Sequence, residues 1–358
     1  MDEIKDQLVL ADGRSFEGTL YGAEQRISSG EIVFNTSMSG YQEIISDPSY
    51  AGQIITFTYP HIGNYGTNKL DNESSEVYAR GVIVRDLSLV PSNFKSTASL
   101  DLYLQTNDLS VLSGVDTRAL TKHIRNHGSQ NAAFGRASYN QLLEAAKEEP
   151  ATSDFNFVEF VTDESINKIG KGDFHVVAID YGMKTSIVKQ LASFAKVSIV
   201  PASTTANDIL ALKPDGIFLS NGPGDPSILA PQIETIKKLL SKVPIFGICL
   251  GHQLLCSALG AKTYKLEFGH HGANHPVMNY QTNIVEITSQ NHNFAVDEKS
   301  LKNVEVTHRN LNDQVVEGIK SKKHNAMSVQ HHPEAGPGPH DARYLFADFK
   351  KMMENNHA

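Results

Sequence analysis

Cysteine is scarce in this chain: two residues in 358. That excludes a secreted disulfide scaffold, whose small core is stapled by several bridges. A helix holding both Cys249 and Cys256 would separate them by about 10 Å, beyond disulfide reach. Long apolar runs are also missing, so no segment approaches bilayer-spanning length. Residues Met1-Asp-Glu-Ile-Lys-Asp-Gln7 lack the apolar core of a signal peptide, and a cytoplasmic protein is expected. Positive charge is in deficit: 32 Lys and Arg against 40 Asp and Glu give a net charge of −8. With no basic run to track a phosphate backbone, nucleic-acid binding is not expected. Internal repeats and low-complexity tracts are absent as well.

What is present is a soluble composition, 40% apolar and 20% charged, in a chain too long for one ordinary core. Two domains follow, and they differ in pattern. From Phe174 onward, apolar runs at 176–179, 197–200, 216–219 and 244–248 alternate with helical stretches at 184–193, 205–212, 231–241 and 253–259. That spacing predicts right-handed crossovers and an open, mostly parallel sheet with helices on both faces. Beyond Lys262 come β-rich segments at 284–288, 304–308, 315–319 and 326–330, then a helix at 341–353. The first half is a smaller α+β domain, 1–150. It has short strands at 8–10, 31–34, 53–57 and 81–84, and helices at 97–105 and 117–126, the second capped by Asp116 and stopped by Gly128. A polar stretch from Lys147 leads into an expected linker, 151–172, ahead of a second domain at 173–358.

Within Val243–Leu255, Cys249 sits where a buried strand turns into a helix, flanked by Gly247 and Gly251. This is a G-x-C-x-G form of the nucleophile elbow, which lifts a reactive atom clear of the sheet. The helix N-terminus behind the sulfur favours thiolate. A cysteine in this setting also serves as core filler, so the elbow alone does not decide. Cys256, two turns further on, reads as a core residue.

Ligands in open α/β sheets bind beyond the carboxyl ends of the strands. Two more polar clusters fall there. One is Ser220-Asn-Gly-Pro-Gly-Asp-Pro226, where Gly222 and Gly224 leave backbone N–H groups uncovered, able to cradle an oxyanion together with the Leu250 N–H. Its bland alternative is an ordinary Pro/Gly turn. The other is His331-His-Pro-Glu334. Pro333 favours extended backbone, so His332 and Glu334 face one side, and Glu334 can fix the His332 tautomer. Its bland alternative is a solvated surface loop, with His331 turned to the opposite side as a structural or exposed residue. A metal site from His270, His271, His331 and His332 lacks a second ligand motif of recognised spacing, and no metal is expected. Gly182-Met-Lys-Thr-Ser186 only faintly resembles a P-loop: Met183 precedes Lys184, and Ala178 stands where the upstream glycine belongs. No ATP site is expected on this chain.

With Cys249, His332 and Glu334 in this order, the second half resembles the class I, triad-type glutamine amidotransferases. Segments 34–43, 58–64, 218–226, 246–254, 268–276 and 332–335 together resemble the small-subunit family of carbamoyl-phosphate synthase. The resemblance implies glutamine hydrolysis through a γ-glutamyl thioester. Ammonia would pass to a large synthetase subunit, which uses ATP, Mg and bicarbonate to make carbamoyl phosphate for arginine or pyrimidine synthesis. The implied partner makes the assembly a heterodimer or something higher. The implied roles are Cys249 as nucleophile, His332 as base and acid, and Glu334 as orienter. Glutamine contacts are implied for Ser49, Gly222, Gly224, Leu250, Gln253, Asn291, Asn293 and Phe294. The family commonly reads Asn-His-Gly-Phe where this chain has Asn291-His-Asn-Phe294. Asparagine tolerates positive φ best among non-glycine residues, which would preserve a backbone contact there. The rival readings are an amidotransferase subunit for anthranilate or GMP synthesis, a stand-alone cysteine hydrolase and a silent scaffold.

Overall fold

The strands at 174–180 and 216–219 set the architecture, because their apolar runs are continuous, so successive side chains point to opposite faces and both faces need cover. In the computed structural model, which describes residues 3–23, 27–162 and 164–357, both faces are covered. Val176, Ala178 and Phe218 pack on one side against Ile187 and Leu191 and against Leu345, Phe346, Phe349 and Met353 of the last helix. Val177, Ile179, Ile217 and Leu219 pack on the other against Ile209, Ile236, Leu239, Leu254 and Leu255. A sheet buried on both faces reads as continuous apolar runs, which is why these strands stood out in the sequence.

The chain divides into two compact units. The first comprises residues 1–155 and 267–271, the second 156–266 and 272–358. The second holds five parallel strands in the spatial order Ala195–Pro201, Phe174–Asp180, Gly216–Leu219, Ile245–Ile248, Ala326–Val329. The sheet continues antiparallel through Val316–Ser321, Glu305–Asn310 and Thr263–Asn279, with Ile284–Val296 beyond it. Helices Thr185–Ala192, Ala206–Ala211, Ala230–Leu239, Leu250–Ala258 and Tyr344–His357 complete it. The long strand Thr263–Asn279 was not visible in the sequence, its lysine, histidine and glycine residues masking the period of two.

Segment 151–172, expected as a linker, is not without regular structure. It carries the helix Phe157–Val161 and the strand Asn167–Ile169, which pairs antiparallel with Ala195–Pro201 at the sheet edge. Val158 is buried in the core with Tyr181, so apolar burial outweighs the polar composition around it. The start of that stretch is fastened too: Asn131 Nδ2 donates to Glu149 O at 2.6 Å and Thr152 Oγ1 to Glu31 Oε2 at 3.0 Å.

The first unit is a mixed eight-stranded sheet. Ser28–Asn35, Gln53–Phe57, Gly81–Ile83 and Ser110–Ser113 run parallel. Gln130–Ala137 lies between Lys5–Leu10 and Ser28–Asn35, antiparallel to both. Its alanines and glycine have weak strand propensity, and tertiary pairing rather than local preference makes it a strand. Helix Thr117–His127 has Asp116 as N-cap and Gly128 as C-cap, whereas the other expected helix shortens to Leu100–Thr106 behind the Ser99 cap. Among the described residues no helix is long and apolar enough to cross a membrane.

Candidate active site

Cys249 closes the Ile245–Ile248 strand and caps the helix Leu250–Ala258 with φ 53° and ψ −107°. A cysteine in this region stores about 1–3 kcal/mol of backbone strain and persists only where its surroundings over-determine it. They do here. Cys249 N donates to Val329 O at 2.9 Å, Gln253 N to Cys249 O at 3.1 Å, and Gly251 N to Ser220 O at 2.9 Å. The flanking glycines answer two separate steric demands. A Cβ on Gly247 would meet Gly251 O at 2.6 Å, and one on Gly251 would meet Leu219 O at 2.2 Å. The strain and both glycines belong to the turn, a combination core filler does not need. The thiol is 2% exposed, and Sγ lies 3.4 Å from Asn291 O.

At the end of the neighbouring strand, His332 Nδ1 lies 2.6 Å from Glu334 Oε1, both side chains buried. His332 N donates to Ser289 O at 2.9 Å and fixes the backbone beneath the ring. With Glu334 ionised, Nδ1–H is the donor, which leaves Nε2 as the ring's basic position. Nε2 has no hydrogen-bond partner of full geometry among the described residues. Burial alone would lower the His332 pKa, but Glu334 and then Cys249 outweigh it and raise it. Burial alone would raise the Glu334 pKa, but Lys184 and then His332 hold it below the usual carboxylate range. The imidazolium is therefore stabilised between a carboxylate and a sulfur.

Lys184 is the residue sequence reasoning missed. It was weighed only as a failed phosphate-loop lysine. In the structure it is fully buried, and its Nζ donates to Glu334 Oε1 at 3.0 Å, Ala335 O at 2.7 Å and Gly336 O at 2.9 Å. Its backbone N donates to Asn221 Oδ1 at 3.2 Å, tying the loop after the first parallel strand to the 220–226 loop. One signal could have found it: a lysine just past the carboxyl end of a buried parallel strand, with no phosphate motif to occupy it.

The 220–226 loop packs onto the elbow as well as onto Lys184. Ser220 Oγ accepts from Tyr181 N at 2.8 Å and donates to Asn221 O at 2.7 Å. Gly222 has no room for a side chain, since a Cβ would stand 2.1 Å from Tyr181 O, while Gly224 adopts φ 91°. Leu250 N, at the first helical position, has no hydrogen-bond acceptor among the described residues. Gln253 is buried, its Nε2 donating to Phe294 O at 2.8 Å and Gln330 Oε1 at 3.1 Å.

Asn291, Asn293 and Phe294 lie on the strand Ile284–Val296. Asn293 has no positive φ, so tolerance of left-handed backbone is not what this position asks of it. Ser49 belongs to the first unit, in the short turn Pro48–Tyr50, with its N–H bonded to Asp47 Oδ1 at 2.9 Å. His331 is fully buried rather than exposed, with Nδ1 3.4 Å from Glu317 Oε2. The four histidines weighed for a metal are divided between the units, His270 and His271 in the first and His331 and His332 in the second. Cys256 is buried, and burial pushes its thiol pKa up, as a core residue requires.

Residues 177–352 match the model of the class-I glutamine amidotransferases, and residues 8–134 that of the carbamoyl-phosphate synthase small chain, CPSase domain. The chain is 50% identical over 363 residues to the carbamoyl phosphate synthase small chain of Chlorobaculum tepidum, covering 99% of both. It is 49% identical over 355 residues to that of Archaeoglobus fulgidus, covering 98% of this chain and 99% of the relative. With that of Salmonella typhimurium the identity is 47% over 370 residues, 97% of each. Such identity along nearly the whole length, over both domains, leaves one assignment: this chain belongs to the carbamoyl-phosphate synthase small-chain family and carries a class-I glutamine amidotransferase domain.

Proposed function

We propose that Cys249, His332 and Glu334 hydrolyse glutamine on behalf of carbamoyl-phosphate synthesis. The Cys249 thiolate attacks the side-chain amide carbon, and the developing oxyanion is met by the backbone N–H groups of Leu250 and the Gly222–Gly224 loop. His332 delivers a proton to the leaving nitrogen as the carbon–nitrogen bond breaks, releasing ammonia and leaving a γ-glutamyl thioester. His332 then takes a proton from water, which attacks the thioester carbon, frees glutamate and restores the thiol. Glu334 keeps the His332 tautomer fixed throughout, itself held by Lys184. Gln253, Asn291, Asn293 and Phe294 contribute to the glutamine site.

The ammonia goes to a large synthetase subunit in a heterodimer or higher assembly in the cytoplasm. That subunit carries the ATP and Mg, and this chain needs no cofactor for the thiol chemistry. The observation that carries the reading is the 2.6 Å His332–Glu334 contact, buried beside a cysteine held at positive φ.

The test is Cys249→Ser in the reconstituted two-subunit complex. Glutamine-dependent synthesis is expected to vanish, while synthesis from added ammonia persists. Loss of both activities together would make Cys249 structural, and retention of glutamine hydrolysis would remove it from the chemistry. A stand-alone cysteine hydrolase is the second outcome the assay can return: full turnover of the isolated chain with no response to the large subunit.

A further inference from the structure

Beside the strand that leads to His332 lies a second buried carboxylate which the proposed chemistry does not use. Glu317 stands on Val316–Ser321, fully buried, next to the strand that ends at the active site. Its backbone O accepts from Gln330 N at 2.8 Å, extending that strand pairing to the residue just before His331. Its side chain gathers two further segments and returns to this one at His331. Oε1 accepts from Gln290 Nε2 at 2.9 Å and from Asn310 Nδ2 at 3.0 Å, and Oε2 lies 3.4 Å from His331 Nδ1.

Two of these partners, Gln290 and His331, are one step from an atom of the site. Gln290 is flanked by Ser289, whose O receives His332 N, and by Asn291, whose O receives the Cys249 thiol. Gln290 Oε1 also meets His292 Nε2 at 3.0 Å, and His292 Nδ1 meets Phe294 O at 2.8 Å. His331 adjoins His332 directly. An ionised carboxylate without exposure is costly unless hydrogen-bonded and paired, so a group in this position is held firmly by what surrounds it and holds those neighbours in turn.

We infer that Glu317 is a positioning residue for glutamine hydrolysis: from the adjacent strand, its carboxylate sets where Asn291 and His332 stand relative to Cys249. The inference rests on the proposed roles of Cys249 and His332. The other titratable groups in this part of the second unit include His252 and His308, with Glu286 4.0 Å from His308 Nε2 and the His308 ring edge-on to His331 at 5.5 Å. His252 and His308 are pushed down to about 3, by burial first, with His331 lowering them further and Glu317 opposing. Both are therefore neutral at working pH. The two amides and His331 are partners that hold the Glu317 carboxylate, which also lies within 4.8 Å of a ring nitrogen of His292.

Two substitutions separate acceptor geometry from charge. In Glu317→Gln the side-chain amide oxygen can still accept from both Gln290 and Asn310. In Glu317→Ala it cannot. In the reconstituted complex, Glu317→Ala is expected to lower glutaminase kcat/KM about tenfold, and Glu317→Gln to stay within about threefold of wild type. The second readout is the rate of iodoacetamide alkylation of Cys249 in the full chain against pH. Cys256 contributes little background, because its thiol is buried and its pKa raised. Glu317→Ala is expected to slow alkylation several-fold at pH 7 and to match wild type near pH 9, because a displaced His332 no longer holds the thiol's proton.

A merely structural role would loosen the site, speeding alkylation at every pH without moving its midpoint, and that result overturns the inference. So does a Glu317→Gln variant as poor as Glu317→Ala. Should Glu317→Ala fail to fold, Gln290→Met breaks the same link from the other end. It must show the same displaced alkylation profile, and an unmoved profile again overturns the inference. If Cys249→Ser retains glutamine hydrolysis, the underlying assignment fails instead, whatever Glu317 does.

Discussion

Replacing Lys184 by methionine keeps the length of the side chain and removes the one charge beneath Glu334. Both groups are buried: the lysine side chain is 2% exposed and the glutamate 0%, so solvent does not screen the pair. Removing one partner of such a pair costs about 3–5 kcal/mol, an upper bound here because His332 still faces Glu334 at 2.6 Å. The dependence on pH carries the sign. Burial alone would raise the Glu334 pKa, and Lys184 and His332 together lower it. A carboxyl with a lowered folded-state pKa adds stability that is complete above its unfolded value, near 4.5, and is lost as pH falls through the folded value. Lys184→Met raises the folded-state value by removing the larger of the two opposing charges. The stability gap between wild type and variant is therefore widest near neutrality and narrows as pH drops below about 5. The chain has no tryptophan, so the assay is urea unfolding followed by far-ultraviolet circular dichroism at several pH values. A gap under about 1 kcal/mol at pH 7, or one that widens on acidification, would refute the argument.

Two further outcomes follow from the same geometry. Gly251→Ala places a Cβ 2.2 Å from Leu219 O, so the elbow must shift. Overpacking of this kind costs about 1–3 kcal/mol, and glutaminase turnover should fall further than stability implies; unchanged kcat would contradict the steric reading. Glu334→Gln should reduce kcat less than His332→Asn, since orientation is a smaller task than proton transfer. An equal or larger effect from Glu334→Gln would reverse the two roles.

Much of this architecture was legible because its signals were local. The parallel strands announced themselves as continuous apolar runs, since both faces are buried, and each was followed by a helix of ordinary length. Gly247 and Gly251 around Cys249 marked a close backbone approach, and the geometry supplies the two oxygens that demand it. His332 and Glu334 meet as the sequence suggested, but through a turn at Pro333 and Glu334, closed by Ala335 N donating to His332 O at 3.1 Å, rather than through the extended backbone expected there. What was not legible depends on contacts distant in the chain. Lys184 meets Glu334 across 150 residues, and nothing near residue 184 states that partner. The strand Gln130–Ala137 is made by its neighbours rather than by its own alanines. The segment 151–172 looked like a linker because its polar residues outnumber the few, Val158 among them, that decide its packing.

The threefold hold of Lys184 on Glu334, Ala335 and Gly336 also bears on how the domain comes into being on the ribosome. The lysine is synthesised with the first parallel strand, and its acceptors arrive 150 residues later. At about 5–20 residues per second, that interval lasts on the order of 10–30 s. Until it ends, the nascent chain holds a lysine meant for burial without its counter-charge, and a cysteine without the histidine proposed as its base. Completion of the charge pair and onset of thiol chemistry thus fall in the same short stretch of translation. A chain broken off before residue 334 has neither a settled core at this point nor the means to liberate ammonia.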